Sequence, residues 1–194
     1  MNFLVKIKDL LYKDVSSENE LKEMAVLLRV LCITDAVFYT ISAIVLFLIF
    51  GSKEGVFSLV FVLIMLIILR TTYKNSTRIS LFLYSFILAM IVIFYCALFG
   101  TQIGYQFSLY TVILLFFYKT DESTAFKMSS SIVCGLLAVV TSVYIDIVGP
   151  VNQLKNSQEV VLLCIYSLWL LSKIIIISRF YCLKFSASED KIIQ

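Results

Sequence analysis

The chain's apolar residues fall in long blocks and not in alternation, and the blocks are separated by short polar punctuation. Val30 to Phe50 is the first block, closed by Gly51, Ser52, Lys53, Glu54 and Gly55, whose glycines suit a tight reversal. Val56 to Tyr73 is the second, with Arg70 near its end. A polar turn from Lys74 to Arg78 precedes the third, Ile79 to Phe99, which is unbroken. Gly100 to Gln106 is an uncharged stretch, and the block that follows, residues 103–118, is the shortest. Met128 to Val148 is ended by Gly149 and Pro150, and a last block starts at Val160 and runs to Ile177. A helix needs about 20 apolar residues to cross a ~30 Å hydrocarbon core. The pattern therefore predicts an all-α integral membrane protein of about six transmembrane helices, at 30–50, 56–73, 79–99, 103–118, 128–148 and 160–177.

Ahead of the first block the pattern changes to that of a surface helix. Phe3, Leu4, Ile7, Leu10 and Leu11 share one face, with Lys6, Lys8 and Lys13 on or beside the other, which predicts an N-terminal amphipathic helix lying in the membrane interface. Ser17 and Glu20 have capping-box spacing, and Leu21, Met24, Ala25 and Leu28 then recur at helical intervals. Residues 1–28 read as cytoplasmic amphipathic helices, 29–183 as one six-span membrane domain, and 184–194 as a cytoplasmic tail or the start of a linker helix.

Composition supports lipid as the solvent. The 194 residues are 61% hydrophobic and 15% charged with one proline, and the mean hydropathy is +0.99; a soluble domain is nearer half apolar and a quarter charged. Charge then sets orientation. With the N-terminus inside, only Lys53 and Lys155 of the 16 basic residues fall outside, so the positive-inside rule predicts both termini in the cytoplasm and the cell membrane as the location. Dropping the short fourth span would put the last six inside charges on the wrong face. The acidic residues of the N-terminal segment, with no small-residue cleavage site before the first span, argue against a cleaved signal peptide.

Candidate chemistry is sparse. Histidine is absent, which excludes Ser/His, Cys/His and HExxH sites. Cys32, Cys96, Cys134, Cys164 and Cys182 show no CxxC pairing and read as small apolar residues, not as metal ligands. Asp121 and Glu122, on the loop between Lys119 and Lys127, read as solvated acids, and no catalytic residue, cofactor motif, metal site or nucleic-acid surface is predicted. Asp35 lies inside the first span, where a carboxylate is costly without a partner, and Lys173 lies at a similar depth in the sixth. They are a candidate intramembrane ion pair; the alternative is that each reaches the interface alone. Asp146 precedes Gly149 and Pro150 and can face Gln102, Tyr105 and Gln106, which makes these four a candidate polar pocket open to the outside. The alternative there is an interfacial acid beside a wet loop. Phe94, Tyr95, Phe99, Tyr105, Phe107 and Tyr110 read as an interfacial belt and helix packing. Ser129, Ser130, Ser131, Cys134, Gly135 and Ala138 form a small-residue face suited to close helix packing, internal or between copies.

Gly100-Thr101-Gln102-Ile103-Gly104-Tyr105-Gln106-Phe107-Ser108-Leu109-Tyr110 resembles the Gly-x-x-x-Gly-aromatic-Gln-x-x-x-Tyr stretch of N-terminal multi-span input domains of bacterial signalling proteins. The chain as a whole is similar in layout to such domains in diguanylate cyclases and histidine kinases, with an amphipathic leader, short loops and a helix starting at Ser188, Glu189 and Asp190. It has no GGDEF sequence and no phosphoacceptor histidine, so the resemblance implies either the input half alone or a standalone relative acting through a partner. It implies a noncatalytic sensor or scaffold that pairs with a second copy or with a cytoplasmic signalling partner. The second reading, on length and span count, is a substrate-binding membrane subunit of a vitamin-like small-solute importer.

Overall fold

The computed structural model describes residues 19–50, 52–74, 77–118 and 123–193. The expected interfacial helix, the serine of the Ser17/Glu20 capping pair and the loop acids Asp121 and Glu122 lie outside the described residues. Among those described there is no strand, and the helices are α1 (Asn19–Phe50), α2 (Ser52–Lys74), α3 (Thr77–Phe99), α4 (Ser108–Tyr118), α5 (Thr124–Val148) and α6 (Asn156–Ile193). A 3-10 turn, Tyr105–Phe107, leads into α4. Five helices, α1, α2, α3, α5 and α6, are long and apolar enough to cross a membrane, and the apolar helix at Tyr105–Phe117 is shorter. The protein is an all-α membrane protein.

Each helix carries a buried stripe at helical spacing. On α6 it is Leu162, Tyr166, Trp169, Lys173 and Ile177. On α1 it includes Leu28, Leu31, Asp35, Tyr39, Ser42 and Leu46. The opposite faces are equally apolar: Val37, Ile44 and Leu48 on α1, and Leu136, Val140 and Ile147 on α5, are all more than half exposed. A helix apolar all round has no water-facing side, so these outer faces meet lipid.

The chain divides into two compact units, Met1–Tyr84 and Ser85–Gln194. In the first, α1 and α2 form an antiparallel hairpin whose turn is tight enough that a Cβ on Gly55 would lie 2.4 Å from the Phe47 ring. Polar contacts among the described residues brace this unit. Buried Arg29 on α1 donates from Nε to Thr72 Oγ1 at 3.2 Å and from Nη2 to the Thr72 carbonyl at 3.1 Å, and its guanidinium sits 3.7 Å from the Tyr73 ring centroid. Thr72 is in the last turn of α2, where carbonyls lack helical partners, so the cation meets both a free acceptor and the negative end of the helix. Tyr84 of α3 donates to Asp35 Oδ2 at 2.7 Å.

The second unit holds the rest of α3 with α4, α5 and α6. At one end Thr101 meets Asp146 near the end of α5. At the other, Phe116 of α4 packs edge-on against Phe126 at the start of α5, with centroids 5.8 Å apart. The backbone between Thr101 and Phe116 therefore runs back along α5. The 3-10 turn and α4 rise about 22 Å together, less than the ~30 Å core. Ser108 of α4 bonds Tyr166 of α6 at 2.9 Å, and further along Tyr181 donates to the Leu114 carbonyl at 2.7 Å. Both pairs advance together along the chain, so α4 and α6 run parallel.

α5 begins before its apolar block because Ser123 caps it, its hydroxyl accepting from the Phe126 amide at 3.2 Å. On its small-residue face Ser129 and Ser131 turn back to the Phe126 and Lys127 carbonyls. Ala138 is buried, and a Cβ on Gly135 would meet nothing within 4 Å. Gly135→Ala is therefore expected to raise stability, by about 0.5–1 kcal/mol, because alanine fits the helix without a clash. Unfolding in mixed micelles measures this. A loss of stability together with loss of a dimer band would instead place Gly135 in a seam between copies.

Candidate functional site

The site is built where α3 and α5 end side by side. Each stops at a glycine with positive φ: Gly100 at +86° and Gly149 at +81°. The Gly100 amide closes on the Cys96 carbonyl at 2.8 Å and the Gly149 amide on the Ile145 carbonyl at 2.7 Å. After Pro150 the chain crosses over α3 and caps it, the Val151 amide donating to the Ala97 carbonyl and the Asn152 amide to the Leu98 carbonyl, both at 2.9 Å. These carbonyls are among the four a helix C-terminus leaves unmatched. The capping segment thus ties the ends of α3 and α5 together and sets Asn152 in place.

Between them lies a cleft of about 220 Å³ lined by Phe99, Gly100, Thr101, Gln102, Ile145, Asp146, Gly149, Pro150, Asn152, Leu154 and Glu159. Thr101 donates to Asp146 Oδ1 at 2.7 Å across it. Asp146 is exposed and Glu159, in the first turn of α6, is half-buried. The Asn152 side-chain nitrogen is shielded from solvent and has no acceptor among the described residues. No lysine or arginine is in the wall, and no three His, Cys, Asp or Glu residues among those described are placed to hold a metal ion.

Of the four residues expected to line a pocket, Gln102 and Asp146 do so, and Tyr105 and Gln106 are engaged elsewhere. Gln106 braces the loop, its amide donating to the Thr101 carbonyl at 3.2 Å and its carbonyl accepting from Cys96 Sγ at 3.8 Å. Tyr105 is buried in an aromatic column, its ring 4.9 Å from that of Tyr95 and 4.8 Å from that of Tyr166. The turn needs Gly104 at φ +86°, which brings the Tyr105 ring inward. The column continues from Tyr166 to Trp169, with centroids 5.4 Å apart, and ends with the Lys173 ammonium 4.1 Å from the Trp169 ring centroid. Of the expected aromatic belt, Tyr95, Phe99 and Tyr105 are interior, and Phe107 and Tyr110 are exposed and stacked at 6.2 Å.

Asp35 and Lys173 are both fully buried. Asp35 belongs to the first unit, where Tyr84 bonds it, and Lys173 to the second, where Trp169 holds it. All five cysteines are free thiols; Cys32 and Cys96 are buried, Cys134 is half-buried, and Cys164 and Cys182 are exposed. Thr101, Asn152 and Glu159 had no signal in the sequence beyond proximity to a glycine or a helix start.

Fold and cleft together define the class: a multi-span α-helical membrane protein with a small polar cleft at the ends of two of its helices. Compared with protein-family models, with curated proteins and with solved structures, the chain matches none.

Proposed function

We propose that this protein is a noncatalytic sensor or scaffold in the cell membrane, with both termini cytoplasmic, that passes a change at its outer cleft to a cytoplasmic partner or output domain. The observation that carries this reading is the continuity of α6. Glu159 in its first turn lines the cleft, and the same helix runs without a break to Ile193, 38 residues in all. At 1.5 Å per residue it is about 57 Å long, nearly twice the hydrocarbon core. A rigid rod of that length carries a displacement at one end to the other. The charge distribution supports the orientation: the cleft loops 100–104 and 149–155 carry Lys155 alone among basic residues.

The reading is tested by amide hydrogen exchange on the protein in lipid nanodiscs. Reversing charge at the cleft with Glu159→Lys is expected to change exchange in 178–193 by severalfold, while an exposed lipid-facing control such as Val140→Leu leaves it unchanged. Unaltered exchange in 178–193 would overturn the relay. The importer reading places its substrate near the midplane, whereas this cleft is at the helix ends; uptake of a solute into vesicles by the protein would favour the importer.

A further inference from the structure

We infer that the lipid-facing side of the α1–α2 hairpin is a site for one anionic phospholipid, with an acyl chain in a groove between the helices and the headgroup phosphate at Arg70. The site lies within the first compact unit. It depends neither on the cleft nor on the relay through α6.

The groove measures about 280 Å³ and is lined by Ile33, Ala36, Val37, Thr40 and Ile41 of α1 and Leu66 of α2. Ile33, Val37, Ile41 and Leu66 are all exposed, so it opens on a face that meets lipid. Thr40 is the one hydroxyl in the lining, and it is satisfied within its own helix, donating to the Ala36 carbonyl at 2.8 Å. Nothing along this stretch asks an occupant for a hydrogen bond, which suits a hydrocarbon. From Ile33 to Ile41 the helix rises about 12 Å, against about 15 Å for one leaflet of a ~30 Å core. The groove therefore has the length of one acyl chain lying along the helices.

Charge stands at one end of it. Arg70 follows Leu66 by one turn of α2 and shares its face. The side chain is exposed, and it has no ion pair or hydrogen bond among the described residues. Two contacts fix the register of the hairpin: Arg29 with Thr72, and Tyr39 with Phe61, whose ring centroids are 5.8 Å apart. That register sets Leu66 beside Ala36 and Arg70 just past the Ile33 end of the groove. The acids of α1 are placed elsewhere. Asp35 is buried and accepts from Tyr84, and Glu20 and Glu23 precede Ile33 by about 15 Å of axis or more.

An anionic phospholipid answers both features with one molecule. Its phosphate oxygens match the planar guanidinium fork, and its chain runs from there along Leu66 into the groove. A helix of a second copy seated in the groove would instead lay apolar surface beside Arg70 and remove its water without supplying a counter-charge, which is costly.

The test is native mass spectrometry of the full chain released from detergent micelles after incubation with phosphatidylglycerol, phosphatidylcholine or inorganic phosphate. One phosphatidylglycerol per chain is expected to be retained in preference to phosphatidylcholine. Arg70→Gln should lower its retention about five- to tenfold, the effect of one basic residue at an anionic headgroup, and bring it to the level of phosphatidylcholine. Thr40→Phe, which fills the groove, should lower retention of both lipids. Arg179→Gln, which removes an exposed arginine from α6, should change neither. Positions 40 and 70 are both exposed, and an unchanged circular dichroism melt verifies that the variants fold. Equal retention of the two lipids by the unaltered chain, or an equal loss from Arg179→Gln, overturns the inference in favour of an unselective lipid coat. Displacement of the lipid by excess inorganic phosphate, or retention that survives Thr40→Phe, overturns it in favour of an anion site without a chain. A lipid-free dimer that Thr40→Phe dissolves overturns it in favour of a second copy.

Discussion

Arg29→Ala is expected to destabilise the protein by about 3–4 kcal/mol, a larger loss than any substitution on its lipid-facing surfaces. The side chain is fully buried, and its guanidinium makes two hydrogen bonds to Thr72 and lies over Tyr73. Truncation leaves the Thr72 carbonyl without its donor in a setting with no water, which costs about 1–3 kcal/mol. It also removes a desolvated cation–π contact of about 2 kcal/mol and the packing of the aliphatic stem. Arg29→Lys keeps the charge but not the planar fork that reaches two acceptors at once, so about half of that loss is expected. Equilibrium unfolding in mixed detergent micelles, followed by circular dichroism, gives both values. If Arg29→Ala changes stability by less than about 1 kcal/mol, the clamp between α1 and α2 is not what holds the hairpin.

Tyr84→Phe removes one oxygen and is expected to cost about 1–3 kcal/mol, the cost of taking a hydrogen-bond partner from a buried polar group. Tyr84 and Asp35 are both fully buried, and the bond is short, at 2.7 Å. An underbonded carboxylate in a spanning helix keeps its desolvation cost and loses part of its compensation. Asp35→Asn retains an oxygen able to accept from Tyr84 and should cost less than Asp35→Leu, which removes that acceptor. The same unfolding measurement ranks the three. Equal losses from Asp35→Asn and Asp35→Leu would show that the hydrogen bond contributes nothing beyond the charge.

The candidate pocket was legible only in part, and the reasons are local. Asp146 stands out because a carboxylate near the end of an apolar block has few neutral explanations, and Gln102 because it sits in an uncharged loop beside two glycines. Tyr105 and Gln106 share that loop, yet the positive φ of Gly104 and the brace of Gln106 on Thr101 turn them away from the cleft. Asn152 enters because the segment after Pro150 caps α3. That segment is polar and short, and its sequence does not say which helix end it will cross.

The spans were determined by the sequence alone, and the cause is the solvent. In hydrocarbon every backbone amide and carbonyl must be satisfied within its own segment, so a long apolar block is a helix whatever its neighbours do. The marginal block at 103–118 folds as the 3-10 turn and α4, and the contacts of Thr101 with Asp146 and of Phe116 with Phe126 lay it along α5. Which polar groups meet was decided only by tertiary structure. Arg29 and Thr72 are 43 residues apart, Thr101 and Asp146 are 45 apart, and Asp35 and Tyr84 are 49 apart. Each pairing depends on the rotation of two helices about their axes. With both faces of these helices apolar, the sequence pattern leaves that rotation open, and packing of the buried stripes settles it.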